Sequence, residues 1–367
     1  MARAFTVTGR QDGQVFMPDM VGALQLGAAV DVSPEVVLTE PGWTLFSFDL
    51  AASEAVFVDV GPCDLSQAPF SYQRQFEIAQ RVLRLPFADV LGMADAIPAA
   101  PQVHLFNIGH CGSTLLHNVF NQTEVAWCLS EPLFVFDLAM GRDKVVDEVR
   151  VALLRAGCAF MRLFPGYAGQ VQVLKHFSQA LMIAEDCQRA TPDARFLFLY
   201  RDAESWCNSV YGFVQRMGGQ MQVPKDEREF VWWIMSGNMT LGAAAGLVDM
   251  TGDVLMFDEL SAAVWILQRD RFHQVVAAGV PMRATPYEAL VADRERTLAG
   301  IFAECGLPDA DMEGALTAFD SDSHAGTATA RSVPVERLDE AALARVRGML
   351  AGLRPPLTGA EPWLDAG

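Results

Sequence analysis

From Pro101 onward, short apolar runs alternate with longer amphipathic stretches, and that alternation leaves few folds open. Residues 103–108 (VHLFNI) read as a buried strand, 109–114 as a loop and 115–120 as the start of a helix. The strand pattern returns at 125–129, 171–174, 195–200 (RFLFLY) and 282–285. Between these runs, 145–164, 180–189, 204–217, 227–247 and 259–278 carry apolar residues near helical spacing. Further helices are expected over 294–305, closed by Gly306 and Pro308, and over 336–353. Strands alternating with helices predict an α/β fold, a parallel sheet covered on both faces.

Residues 1–100 have a different character. Short β-rich runs at 36–39, 43–50 and 54–60 are punctuated by Pro41-Gly42 and Gly61-Pro62, and 71–91 reads as more helical with Pro86 interrupting it. The stretch 97–101 (IPAAP) reads as a linker. The expected organisation is a β-rich accessory region over 1–100, an α/β domain over 101–335, and a helix and tail over 336–367. A length of 367 residues accommodates this.

Composition narrows the function. With 51% apolar and 20% charged residues the chain can bury a core, which excludes general disorder. A net charge of -18 argues against nucleic acid as a partner while leaving room for one small basic pocket. No run of about 18 uncharged apolar residues occurs, so no membrane span is expected. The seven cysteines are scattered and never form C-x-x-C, which fits a reducing, cytoplasmic setting. Only Lys144, Lys175 and Lys225 are lysines among 27 basic residues, a skew toward arginine that fits a GC-rich bacterial source.

The sharpest local signal is the loop after the first buried strand, Gly109-His110-Cys111-Gly112-Ser113-Thr114-Leu115. A glycine-containing turn between a buried strand and a helix aims several N–H groups at one point, which suits a phosphate or sulfate. Gly112 and Ser113 allow close approach, and Ser113 and Thr114 add hydroxyl donors. It is not a Walker A loop, because Gly112 and not lysine precedes Ser113.

Here the chain resembles the sulfotransferases that use 3'-phosphoadenosine 5'-phosphosulfate (PAPS). Their loop usually reads basic, small, Gly, Ser/Thr, Thr, against His110-Cys111-Gly112-Ser113-Thr114 in this chain. The departure is His110, whose imidazolium alone would supply full charge, so activity is expected to fall as pH rises through its titration. Arg201, directly after the run 195–200, and Ser209 eight residues on fit the family's second signature, which grips the 3'-phosphate. An ordinary salt bridge to Asp202 or Glu204 is the plainer role for Arg201. Tyr287-Glu288-Ala289-Leu290 followed by 294–307 is similar to a third, structural segment of the family, and the polar run 321–331 to a loop placing Ser323 or Arg331 near the cofactor. The resemblance covers roughly 101–331. It implies a P-loop NTPase-like parallel sheet flanked by helices, PAPS as sulfuryl donor, no metal, and a small-molecule acceptor.

Sulfuryl transfer needs a base for the acceptor's proton and cations for the leaving phosphate. Glu131, 21 residues past His110, matches the placement of the base in tyrosylprotein-type members, although a glutamate in an S-E-P turn also serves as a solvated or capping residue. Lys175, at a strand end, matches a lysine beside the transferring group. His176 is the second candidate base and Ser178 a further donor. The aromatics Phe134, Phe136, Trp232 and Trp233 read as core or as an acceptor pocket. The six histidines show no metal-ligand spacing. A small-molecule kinase on the same scaffold, or a non-catalytic nucleotide-binding protein, are the competing functions.

Overall fold

The structure, a computed structural model, describes residues 2–11, 19–216, 219–244, 246–322 and 336–351. Two five-stranded sheets follow one another along the chain. The first is antiparallel and consists of β1 (Ala2–Arg10), β2 (Leu24–Val32), β3 (Trp43–Asp49), β4 (Glu54–Asp59) and β5 (Arg81–Pro86), in the order β2-β1-β5-β4-β3. The second is parallel, with β6 (Gln102–Asn107), β7 (Ala126–Ser130), β8 (Val171–Lys175), β9 (Arg195–Tyr200) and β10 (Met282–Pro286) in the order β10-β9-β6-β8-β7. The α/β expectation therefore holds for the second half, and helices connect each of its strands.

The first half departs from expectation in two places. Val36–Thr39 is a single helical turn and not a strand. The turn at Ser33-Pro34 starts it, with Val36 N–H bonded to Ser33 O at 3.1 Å, and it buries Val36 and Val37. Burial outweighs the β preference of branched side chains here. Within 71–91 only Ser71–Ile78 and Phe87–Ala94 are helical, and Arg81–Pro86 between them is strand β5. Val82, Leu83 and Leu85 are buried, and pairing to β1 on one side and β4 on the other makes β5 the central strand. Local propensity carries no trace of that two-sided pairing.

In the second half the expected helix over 227–247 stops at Ser236. Gly237 (φ 71°) and Asn238 (φ 60°) turn left-handed, and Trp232 Nε1 donates to Met239 O at 2.9 Å, closing the end. The stretch 145–164 is helical over Asp147–Phe160 and tightens to a 3-10 turn over Met161–Leu163. The last helix is Glu340–Leu350, and the tail beyond residue 351 lies outside the described residues.

The larger of two apolar clusters runs through both sheets. Phe48 packs edge-on against Phe134 (centroids 5.7 Å apart) and Phe57 against Phe160 (5.1 Å). A polar latch accompanies it: Ser47 Oγ and the Phe48 N–H donate to Asp137 Oδ2 at 2.7 and 2.9 Å. Burial lifts the Asp137 pKa from its ordinary 3.8 to about 7. The folded chain then holds the proton that the unfolded chain releases between about pH 4 and 7, so stability falls across that window and is flat above it. Asp137→Asn keeps an oxygen acceptor for both donors and removes the titration. It is expected to flatten the slope of urea-unfolding stability between pH 4 and 7; an unchanged slope would place the titrating group elsewhere.

Candidate active site

The parallel sheet brings Glu131, Lys175, the 108–112 loop and Arg201 to the carboxyl ends of four adjacent strands. In register, Asn107 lies opposite Leu199, Leu105 opposite Lys175, and Lys175 opposite Ser130. Because β7, β8, β6 and β9 are adjacent and parallel, their carboxyl ends present Glu131, Lys175, the 108–112 loop and Arg201 in that order. The chain passes from β6 outward to β7, returns to β8 and then crosses to β9 on the other side of β6. That reversal is a topological switch point at the carboxyl end of β6, the place where open α/β sheets bind ligands.

The loop is held by its own strand. Asn107 Nδ2 donates to His176 O at 2.6 Å, and Asn107 Oδ1 accepts from the Gly109 N–H at 2.8 Å. Gly109 (φ 71°), His110 (φ 47°) and Gly112 (φ 84°) all take left-handed backbone, which is unfavourable for the non-glycine residue His110. The Cys111 thiol turns inward to donate to Leu199 O at 3.3 Å, and burial pushes its pKa up to about 12. Cys111 is fully buried, side chain and backbone alike. Gly112 caps the helix Ser113–Asn121, with no side chain capping that end, so its first N–H groups have no intrahelical partner.

Residues from the next connections lock the loop against Arg201. A Cβ on Gly112 would sit 2.4 Å from the Tyr287 ring, so only glycine admits that contact. The Arg201 guanidinium lies 5.0 Å from the centre of the same ring, which makes Tyr287 the wedge between loop and arginine. Arg201 Nε is buried with no hydrogen-bond partner among the described residues. Trp206 Nε1 donates to Gly109 O at 2.9 Å, and the Phe213 ring lies 4.9 Å from the His110 ring. Ser209 stands one turn after Trp206 and one before Phe213 on the helix Ala203–Arg216, so it shares their loop-facing side. Glu288 accepts from the Asp202 N–H at 3.3 Å; burial, then its hydrogen bond with Asp202, raises its pKa.

At the carboxyl end of β8, Lys175 Nζ forms an ion pair with Glu131 Oε1. Side-chain exposure is 1% for Lys175 and 16% for Glu131, so the pair opens to one side only. Glu131 holds left-handed backbone (φ 55°), and its N–H donates to Lys175 O at 2.6 Å.

His176 is not brought into this group. One residue past Lys175, it points to the other side of the sheet and is fully buried. Its Nε2 meets His104 Nδ1 at 2.8 Å, and His104 Nε2 meets Thr191 Oγ1 at 2.9 Å. Burial, then the neighbouring His104, drives its pKa well below the ordinary value. His104, His176 and Cys187 are the one group of three metal-capable side chains found among the described residues, with donor atoms within 4.8 Å of one another. The two imidazoles bond each other there, in a core hydrogen-bond chain. Phe134, Phe136 and Trp232 are buried core residues. Ser178 starts a 3-10 turn and donates to Gln179 Oε1 at 3.2 Å. Ser323 and Arg331 lie outside the described residues. An open cleft of about 560 Å³ near Arg294, Glu313 and Asp320 contains none of the candidate residues.

No family model and no curated protein matches this chain. Among solved structures, a sulfotransferase from Alicyclobacillus acidocaldarius is similar over 62% of this chain and 94% of that one, at 19% identity and a TM-score of 0.39. Among the described residues no helix is long and apolar enough to cross a membrane.

Proposed function

We propose that the chain is a PAPS-dependent sulfotransferase with a P-loop-like core, acting on a hydroxyl or amine of a small acceptor. The carrying observation is the order of groups along one sheet edge: carboxylate, lysine, uncapped helix terminus, arginine. That is the order sulfuryl transfer requires, from the acceptor's proton to the far phosphate. The residues present fit the donor: among the described residues no side chain caps the first turn of Ser113–Asn121, and Arg201 Nε is buried without a hydrogen-bond partner.

The N–H groups of Cys111, Gly112, Ser113, Thr114 and Leu115, with His110, hold the 5'-phosphosulfate. Arg201 offers its planar fork to the 3'-phosphate and Ser209 adds a neutral donor. When bound, PAPS supplies the activated sulfuryl group. In the free protein Lys175 and Glu131 neutralise each other. An anionic group beside Lys175 draws the ammonium toward itself, and the released Glu131 carboxylate takes the acceptor's proton. His110 and Lys175 then face the charge that develops on the leaving phosphate. His176, paired with His104 in the core, has no part in this scheme. The acidic surface disfavours a polyanionic acceptor.

Adenosine 3',5'-bisphosphate at roughly 100 times its Kd is expected to add about 2.7 kcal/mol of stability, read as a raised melting temperature. Magnesium-ATP is expected to have no comparable effect, since the loop lacks a kinase's phosphate-binding lysine. Superimposable melting curves with and without the bisphosphate would sink the proposal, and magnesium-dependent stabilisation by ATP would favour a kinase. Glu131→Gln is expected to keep nucleotide binding and lose turnover, which a non-catalytic binding protein would not show.

A further inference from the structure

Residues 69–72 belong to the first sheet's part of the chain, yet they lie on the Glu131–Lys175 pair. Ser130 Oγ donates to Pro69 O at 2.6 Å, fixing the segment to the end of β7. The Phe70 ring centre is 5.5 Å from Lys175 Nζ. Tyr72 packs 5.2 Å from the Phe177 ring and 6.0 Å from Phe70, so the two aromatic rings bridge the ends of β7 and β8. A lysine ordinarily keeps its ammonium in water, yet Lys175 is 1% exposed.

We infer that Phe70 is a positioning residue of this site, an aromatic shield that keeps water off the Lys175 ammonium and holds it to Glu131. The inference rests on the reading of Glu131 and Lys175 as the working pair. An ammonium is attracted to the face of an aromatic ring, and excluding water strengthens its attraction to the carboxylate. The opening left beside Glu131 is then the acceptor's entry, bordered by Phe70 and Tyr72. Burial, followed by the negative charge of Glu131, raises the Tyr72 pKa, so its hydroxyl remains a hydrogen-bond donor at that border. The N-terminal part of the chain thereby becomes part of the site.

The small number of lysines makes a direct test available on the full chain. Reductive methylation with formaldehyde and a borane, followed by peptide mass spectrometry, reads Lys144, Lys175 and Lys225 separately. Lys144 and Lys225 are exposed and should react readily. Lys175 should react about tenfold slower or less, because the amine must reach solvent to be modified. Phe70→Ala should bring Lys175 toward the rate of Lys225 without changing the other two, and Phe70→Leu should restore protection. If the alanine variant melts below the labelling temperature, Phe70→Val is read in its place. Continued protection of Lys175 in a folded Phe70→Ala or Phe70→Val variant overturns the inference. Failure of the wild type to bind adenosine 3',5'-bisphosphate would instead overturn the sulfuryl-transfer reading and leave the shield standing, so the two failures are distinguishable.

Discussion

Glu131→Ala is expected to destabilise the protein by about 3–5 kcal/mol, since it removes the countercharge of a lysine that is only 1% exposed. The asymmetry of the pair sets the direction. Lys175 is 1% exposed and depends on Glu131 for its countercharge, whereas Glu131, at 16%, has some access to solvent. Lys175→Met should therefore cost less than Glu131→Ala. The double variant should recover much of the loss, because an apolar pair needs no desolvated charge. Urea unfolding of the wild type, both single variants and the double variant closes the cycle. Simple additivity would mean that the two side chains do not depend on each other in solution, and the proposed exchange of partners during transfer would lose its basis.

Arg201→Gln is expected to weaken adenosine 3',5'-bisphosphate binding roughly 10- to 100-fold, the equivalent of about 1.5–3 kcal/mol for a hydrogen bond to a charged group. Adenosine 5'-monophosphate, which lacks the 3'-phosphate, should bind wild type and variant alike. Titration calorimetry of both nucleotides against both proteins isolates the coupling between Arg201 and the 3'-phosphate. Equal losses for the two nucleotides would move Arg201 away from that end and reduce it to a support for Tyr287, whose ring its guanidinium already faces.

The second sheet was legible because its signals are local. Arg195–Tyr200 and Arg294–Cys305 occupy the stretches that their apolar periodicity marks. The loop signal was equally local: two glycines and small hydroxyl residues between a buried strand and a helix. The sequence reads Tyr287 as structural, and its Tyr-Glu run gives no sign that the ring lies against Gly112 and Arg201 at once. Nothing near Phe70 in the sequence marks it, since its partner Lys175 lies 105 residues away in the chain. The first sheet was the least legible part, because β5 is a strand only by virtue of β1 and β4 beside it.

Residue order alone determined which side chains stand at strand ends, where glycine permits a tight turn, and that the 109–112 loop and Arg201 each precede a helix. Those properties depend on backbone chemistry within a few residues. Only tertiary structure decided that Glu131 meets Lys175, that the adjacent His176 joins His104 in the core, and that the N-terminal segment covers the pair. Strand neighbours are selected by burial summed over the whole sheet, and a pleat sends consecutive side chains to opposite faces. One residue's difference in position therefore separates Lys175, paired with Glu131, from His176 in the core.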